Sequence, residues 1–143
     1  MMHANAVRLK RILTAQLELV SDTHERVAPA LAALDLTLPL AHALWALVPG
    51  EPAPAMATLA SRLRCSASSL TFVIGRLAER NLVQRMVAVE NRRMTKVGLT
   101  AHGIAIREKM LDAMTSCSAV ALLSKTEQDT LLSLLERALA AAD

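Results

Sequence analysis

The sequence predicts a mainly helical domain interrupted by a single β-hairpin. Ala and Leu dominate its 143 residues, a composition that favours helix. Apolar residues recur at three- and four-residue spacing over most of the chain, as on the buried stripe of an amphipathic helix. One stretch breaks the pattern. "VAVENRRMTKVGLT", Val87 to Thr100, alternates apolar and other residues on both sides of a polar, basic tip, which is the signature of two strands and a turn.

Taken in order, the elements read as follows. Leu9, Leu13, Val20 and Val27, with Ile12, Leu17, Leu31 and Leu34 beside them, predict a long first helix, which Pro29 is expected to kink or divide. "LTLP" opens a second helix, with Thr37 as cap and Pro39 in the first turn. That helix runs through Trp45 and stops at the proline-rich loop "VPGEPAP". Two short helices follow, Met56 to about Leu63 and about Ala67 to Arg80, with Ser66 as N-cap of the second. Strands come next, near Val83–Val89 and Thr95–Leu99. Thr100 caps a helix to about Ala119, and "SKTE" has the capping-box spacing that opens a last helix with Leu131, Leu134, Leu135 and Leu139 on one face. The succession of helix–turn–helix and hairpin defines a winged helix with a two-stranded β-wing. The flanking helices, 1–35 and 101–143, are more apolar than a lobe spanning 37–100 needs. Burying them against a second copy, as a two-fold dimer, is the expected solution.

Composition narrows the function. Aromatics make up 1%, Trp45 and Phe72 alone, so base stacking on a single strand is excluded as the main activity. No stretch reaches the roughly 18 apolar residues of a membrane span. Arg8, Lys10 and Arg11 are not followed by a signal-peptide core, and a cytoplasmic protein is expected. No glycine-rich phosphate loop, nucleophile elbow or metal motif is present, so neither an enzyme nor a cofactor is expected. Net charge is +3, unevenly spread. Residues 56–100 hold eight Lys/Arg and two acids, a net +6, while the rest of the chain is −3. A basic middle between mildly acidic ends suits a polyanion.

The segment "LASRLRCSASSLTFVIGRLAERNLVQR", Leu59 to Arg85, carries the chemistry. Leu70, Val73, Ile74 and Leu77 fall at i, i+3, i+4 and i+7 and should bury one face of its second helix. The opposite face presents Ser66, Ala67, Ser68, Ser69, Thr71, Phe72 and Arg76. Small polar residues at a helix N-terminus allow close approach to a phosphate or base edge. Their hydroxyls donate to phosphate, and the helix dipole favours an anion there.

With these residues in view, the sequence resembles the MarR family of transcriptional regulators. The matching features are "LASRL", then Ser-x-Ser-Ser-Leu-Thr leading to "RLAERNLVQR", the wing "NRRMTKVGLT", and "LTAHG". They run from about Leu36 to Gly103. The resemblance implies a homodimer held by its terminal helices, with the helix after Ser66 in the major groove of double-stranded DNA and the wing at the minor groove. The family's Asp-x-Arg wing motif becomes Asn91-Arg92-Arg93 here, which puts Arg93 at the arginine position and turns an ion pair into a neutral hydrogen bond. Asn81 stands where Gly is usual and tolerates the left-handed turn needed there. Phe72 stands where a polar or basic residue is common; contact with a thymine methyl and inward packing are both open.

In the family, the space between the dimer helices and the DNA-binding lobe often holds a small aromatic or anionic effector. His24, His42, Trp45 and Met56 are the candidate lining here, against the plainer reading of ordinary core packing. Cys65 and Cys117 are better read as small core residues than as a redox switch. His3, His24, His42 and His102 form no pair with zinc-ligand spacing. The expected function is a sequence-specific DNA-binding regulator, a dimeric repressor acting at an inverted repeat and relieved by an effector. The alternative is a helix-mediated dimerisation or adaptor module that keeps the fold without binding DNA.

Overall fold

A computed structural model describes residues 2–142, with side chains from Ala4 onward, so the His3 side chain lies outside the described residues. The elements are α1 (Met2–Ala33), α2 (Leu38–Ala46), α3 (Met56–Arg62), α4 (Ala67–Glu79), β1 (Val83–Val87), β2 (Thr95–Leu99), α5 (Ala101–Cys117) and α6 (Lys125–Ala140). A short 3₁₀ turn, Ala119–Leu122, precedes α6. The fold is mainly α with one antiparallel two-stranded sheet, as the sequence predicts. Among the described residues, no single helix is long and apolar enough to cross a membrane.

The chain forms two compact units. One contains α1 up to Val27 together with the chain from Met114 onward; the other is Ala28–Ala113. Most of α5 therefore packs within the winged-helix unit, whereas the sequence pattern groups it with the terminal helices.

In the winged-helix unit, Leu40 and Leu44 of α2, Leu59 of α3 and Leu70, Ile74 and Leu77 of α4 are buried with Leu82 and Val97 of the hairpin. Each such side chain contributes about 1.5–3 kcal/mol by leaving water. Val73 is only half-buried, at the edge of this face. Strand pairing runs from Val83↔Leu99 to Val87↔Thr95. The strand thus ends at Val87, two residues before the expected Val89, because the chain turns at its tip. Ala88 N–H still donates to the Met94 carbonyl at 2.9 Å, while Val89 projects into solvent. The end of the proline-rich loop joins the hairpin edge, with Val97 N–H donating to the Pro54 carbonyl at 3.0 Å.

Three helices end in the same way without a glycine. At Asp35, Arg64 and Asn81 the backbone enters the left-handed region, with φ of 55°, 50° and 56°. The following N–H reaches back five residues: Leu36 to Leu31, Cys65 to Ala60 and Leu82 to Leu77, at 2.8, 3.1 and 2.9 Å. This is the Schellman arrangement, which satisfies carbonyls that the helix end would leave unpaired. Pro29 does not divide α1, which continues to Ala33. Both Pro29 and Glu25, whose carbonyl it leaves without a helical donor, are exposed, so water can satisfy that oxygen. The stop comes instead at the left-handed Asp35. Thr37 occupies the N-cap of α2, but its hydroxyl makes no capping bond. The Thr100 hydroxyl does cap α5, accepting from Gly103 N–H at 2.9 Å, and Ser124 and Glu127 form a complete capping box on α6.

In the terminal unit, none of the described residues of α6 is buried. Ile12 and Leu19 of α1 and Leu131 and Leu135 of α6 line an apolar groove of about 440 Å³. Val7, Leu13, Leu17 and Val20 add further exposed apolar surface along α1.

Candidate nucleic-acid interface

The candidate interface begins at the N-terminus of α4. The Ser66 hydroxyl accepts from Ser69 N–H at 3.1 Å and donates to the Ser69 hydroxyl at 2.9 Å. The Ser68 hydroxyl lies 3.2 Å from the same Ser66 oxygen. Thr71 donates to the Ala67 carbonyl at 2.9 Å. These local bonds are what short hydroxyl side chains make near a helix start, and they order the first turn. Ser66, Ala67, Ser68, Ser69, Thr71, Phe72 and Arg76 are all exposed, so the face opposite Leu70, Ile74 and Leu77 is free.

Phe72 points outward, with 70% of its surface exposed. Of the two readings left open by the sequence, inward packing is therefore excluded. Arg76, one turn further along, reaches Glu79 at 3.2 Å across solvent.

The wing carries the second part. Asn91 Oδ1 accepts from Arg93 N–H at 3.0 Å, and Met94 N–H donates to the Asn91 carbonyl at 2.9 Å. The neutral hydrogen bond expected in place of an ion pair thus goes to backbone and shapes the turn. Both Arg92 and Arg93 are exposed, and neither makes an ion pair among the described residues. Near the tip of the wing, Lys96 lies 3.5 Å from Glu90. The Glu90 carboxyl is held below the ordinary range, first by its own backbone N–H and then by Lys96.

Helix and wing face one another. A groove of about 560 Å³ runs between them, lined by Thr71 from α4, Arg85 from β1, and Asn91, Arg93 and Met94 from the wing. Arg85 spans it and donates to the Thr71 carbonyl at 3.3 Å. Arg85 and Arg93 thus stand opposite Thr71, while Ser68 and Ser69 open on the other side of α4, towards Asp35, Thr37 and Pro39.

Two cations missed as structural pieces complete the picture. Arg80 donates to the Asp35 and Leu34 carbonyls at 2.6 and 2.8 Å. Arg107 donates to the Leu44 and Trp45 carbonyls at 3.0 and 3.2 Å. Each neutralises the carbonyl end of a helix. Arg80 therefore serves the fold rather than the basic face. Its target lies 45 residues away, which no local pattern reveals.

The four candidate effector residues are dispersed over different elements. Met56 is half-buried at the start of α3 and lines the wing groove. His42 and Trp45 are exposed on α2, and His24 is half-buried on the part of α1 that belongs to the terminal unit. Cys65 is exposed and Cys117 half-buried, which corrects the expectation of core cysteines. Cys65 follows the left-handed Arg64 in the turn, where its N–H closes the helix end and its side chain is exposed. Among the described residues no group of three His, Cys, Asp or Glu side chains could hold a metal.

Comparison with known proteins rests on this architecture, since no family model and no curated sequence matches the chain. Solved structures do match. A MarR-family transcriptional regulator from Silicibacter pomeroyi superposes with a TM-score of 0.76 at 21% identity, covering 90% of this chain and 88% of that one. The chain has the fold of the MarR-family regulators. A MarR-family protein of Mycobacterium tuberculosis, solved in complex with DNA, gives a TM-score of 0.71 at 23% identity, covering 87% and 94%. The PcaV transcriptional regulator from Streptomyces coelicolor, solved with its natural ligand, gives 0.65 at 23% identity, covering 92% of each chain.

Proposed function

We propose that this protein with the MarR-family fold is a dimeric regulator that binds double-stranded DNA at an inverted repeat and represses transcription. The observation that carries the reading is the joint exposure of the α4 face from Ser66 to Arg76 and of the wing, which share one groove through Thr71, Arg85 and Arg93, with Arg92 and Arg93 at the tip making no ion pair among the described residues. Ser66, Ala67, Ser68, Ser69, Thr71, Phe72 and Arg76 meet the major groove. Arg92 and Arg93 reach the minor groove, where a narrow A·T-rich segment concentrates negative potential.

The second copy covers the exposed apolar surface of α1 and α6. Leu17, 71% exposed, and the unburied leucines of α6 are otherwise a large apolar area left in water. An adaptor without DNA binding would use the same dimer surface, but it gains nothing from two unpaired arginines on a projecting finger. Relief by a small aromatic or anionic effector is part of the proposal, with His24, His42, Trp45 and Met56 as its candidate contacts. The PcaV regulator, of like fold, was solved with its natural ligand. Neither an enzymatic activity nor a cofactor enters this reading, and the cytoplasm is its place of action.

The test is a salt titration on a duplex selected from a random pool. Several phosphate contacts per subunit should give a slope of log K against log salt of magnitude about 4–8 for the dimer. Arg93→Ala should cost about 1–3 kcal/mol of binding and flatten that slope, with thermal stability unchanged because the side chain is exposed. A slope near zero, or equal affinity for the variant, would remove the wing from the mechanism.

A further inference from the structure

We infer that Phe72 is a specificity-determining residue that selects thymine by packing its ring on the C5-methyl group in the major groove. The inference rests on the DNA-binding reading and deepens it. On the exposed face of α4, the polar side chains are already engaged within the helix. Ser66, Ser68 and Ser69 share one hydroxyl cluster, and Thr71 donates to the Ala67 carbonyl. Arg76, the long cation that could grip a guanine edge, is drawn to Glu79 at 3.2 Å. A base contact by Arg76 has to break that pair and bring the Glu79 carboxylate towards a polyanion.

Phe72 has no such commitment. It lies one turn from Ser68 and Ser69, and one turn before Arg76, on the same ridge. Phe72 lines an open groove with Pro39, Leu40 and Val73 and with the polar Ser68, Ser69 and Arg76, and the residue stays 70% exposed there. A ring left in water forfeits the gain of burial, and recovers it when an apolar group covers it. In the major groove that apolar group is the thymine methyl, which cytosine and the purines lack. The phosphate contacts around it come from the basic wing, so charge holds the duplex while the ring discriminates.

The experiment uses the full-length protein and a duplex that it selects from a random pool. The duplex is remade with deoxyuridine for thymidine only in the two half-sites, leaving the flanks under the wings unchanged. Losing one methyl from a buried contact weakens binding about fourfold, and losing one per half-site in a dimer about fifteenfold. Wild type should show that loss. Phe72→Ala, an exposed substitution that leaves the core intact, should bind the thymidine and deoxyuridine duplexes within about twofold of each other and keep its salt dependence. Equal affinity of wild type for the two duplexes would overturn the assignment, as would a methyl dependence that survives in Phe72→Ala. Failure of wild type to select or bind any duplex would overturn the DNA-binding reading as well.

Discussion

Gly103 gives the sharpest test of how the wing is held to the rest of its unit. It sits in the first turn of α5, buried, and a Cβ placed there would lie 1.8 Å from the Leu82 carbonyl oxygen and 2.8 Å from its carbon. Both distances are below the 3.0 Å that such carbons essentially never breach, and both are to backbone. The same Leu82 oxygen accepts from Thr100 N–H at 3.1 Å, and the Thr100 hydroxyl donates to the Asn81 carbonyl at 2.6 Å. Alanine must therefore push the start of α5 away from the turn that launches β1. Overpacking against rigid backbone costs about 1–3 kcal/mol, and loosening the Thr100–Leu82 bond about 1–3 kcal/mol more. Alanine's better helix propensity returns about 1 kcal/mol. The expected result for Gly103→Ala is a net loss of about 1–5 kcal/mol, a drop in Tm of roughly 3–20 °C for a chain of this size. Urea and thermal unfolding measure it, with wild type and variant at the same protein concentration so that any self-association enters both alike. An unchanged or raised Tm would mean that helix propensity alone governs the site and that α5 is not seated on Leu82.

Two further outcomes follow from the terminal unit. Leu17→Asp and Leu135→Asp should each weaken self-association roughly tenfold or more, read by sedimentation equilibrium at micromolar protein; a wild-type chain that sediments as a folded monomer would refute the dimer. The Glu127 carboxylate accepts from the Ser124 hydroxyl and the Ser124 N–H, both at 2.8 Å, which hold it below its ordinary range. Its contribution to stability is therefore present above the unfolded glutamate pKa and is lost as pH falls through the lowered folded value. Wild type should exceed Glu127→Ala in urea midpoint at neutral pH, with the gap closing in acid, and a gap that persists at low pH would refute the capping role.

Much of the local chemistry was legible from the sequence, though Thr37 caps α2 without a hydroxyl bond and Pro29 leaves α1 undivided. Ser66, Thr100 and the Ser124–Glu127 box cap their helices because a hydroxyl reaches an N–H only three residues on. The spacing of Leu70, Ile74 and Leu77 turns one face of α4 inward by helical geometry alone, and alternation marks the hairpin. The face bearing the candidate DNA contacts was readable for the same reason: once the apolar stripe is assigned, the opposite stripe is exposed. Tertiary structure decided what depends on partners far along the chain. Asp35 and Arg64 hold left-handed ends that carry no glycine to announce them, and Arg80 and Arg107 turn back to cap helix ends 45 and about 60 residues away. Phe72 stands largely in water on α4 although it is aromatic, and Cys65 is exposed although small apolar residues usually pack inside. Gly103 shows the division most plainly. By sequence it is a helix residue that alanine should improve; in space it is the point where backbone meets backbone, and only the approach of Leu82 makes the missing side chain a requirement.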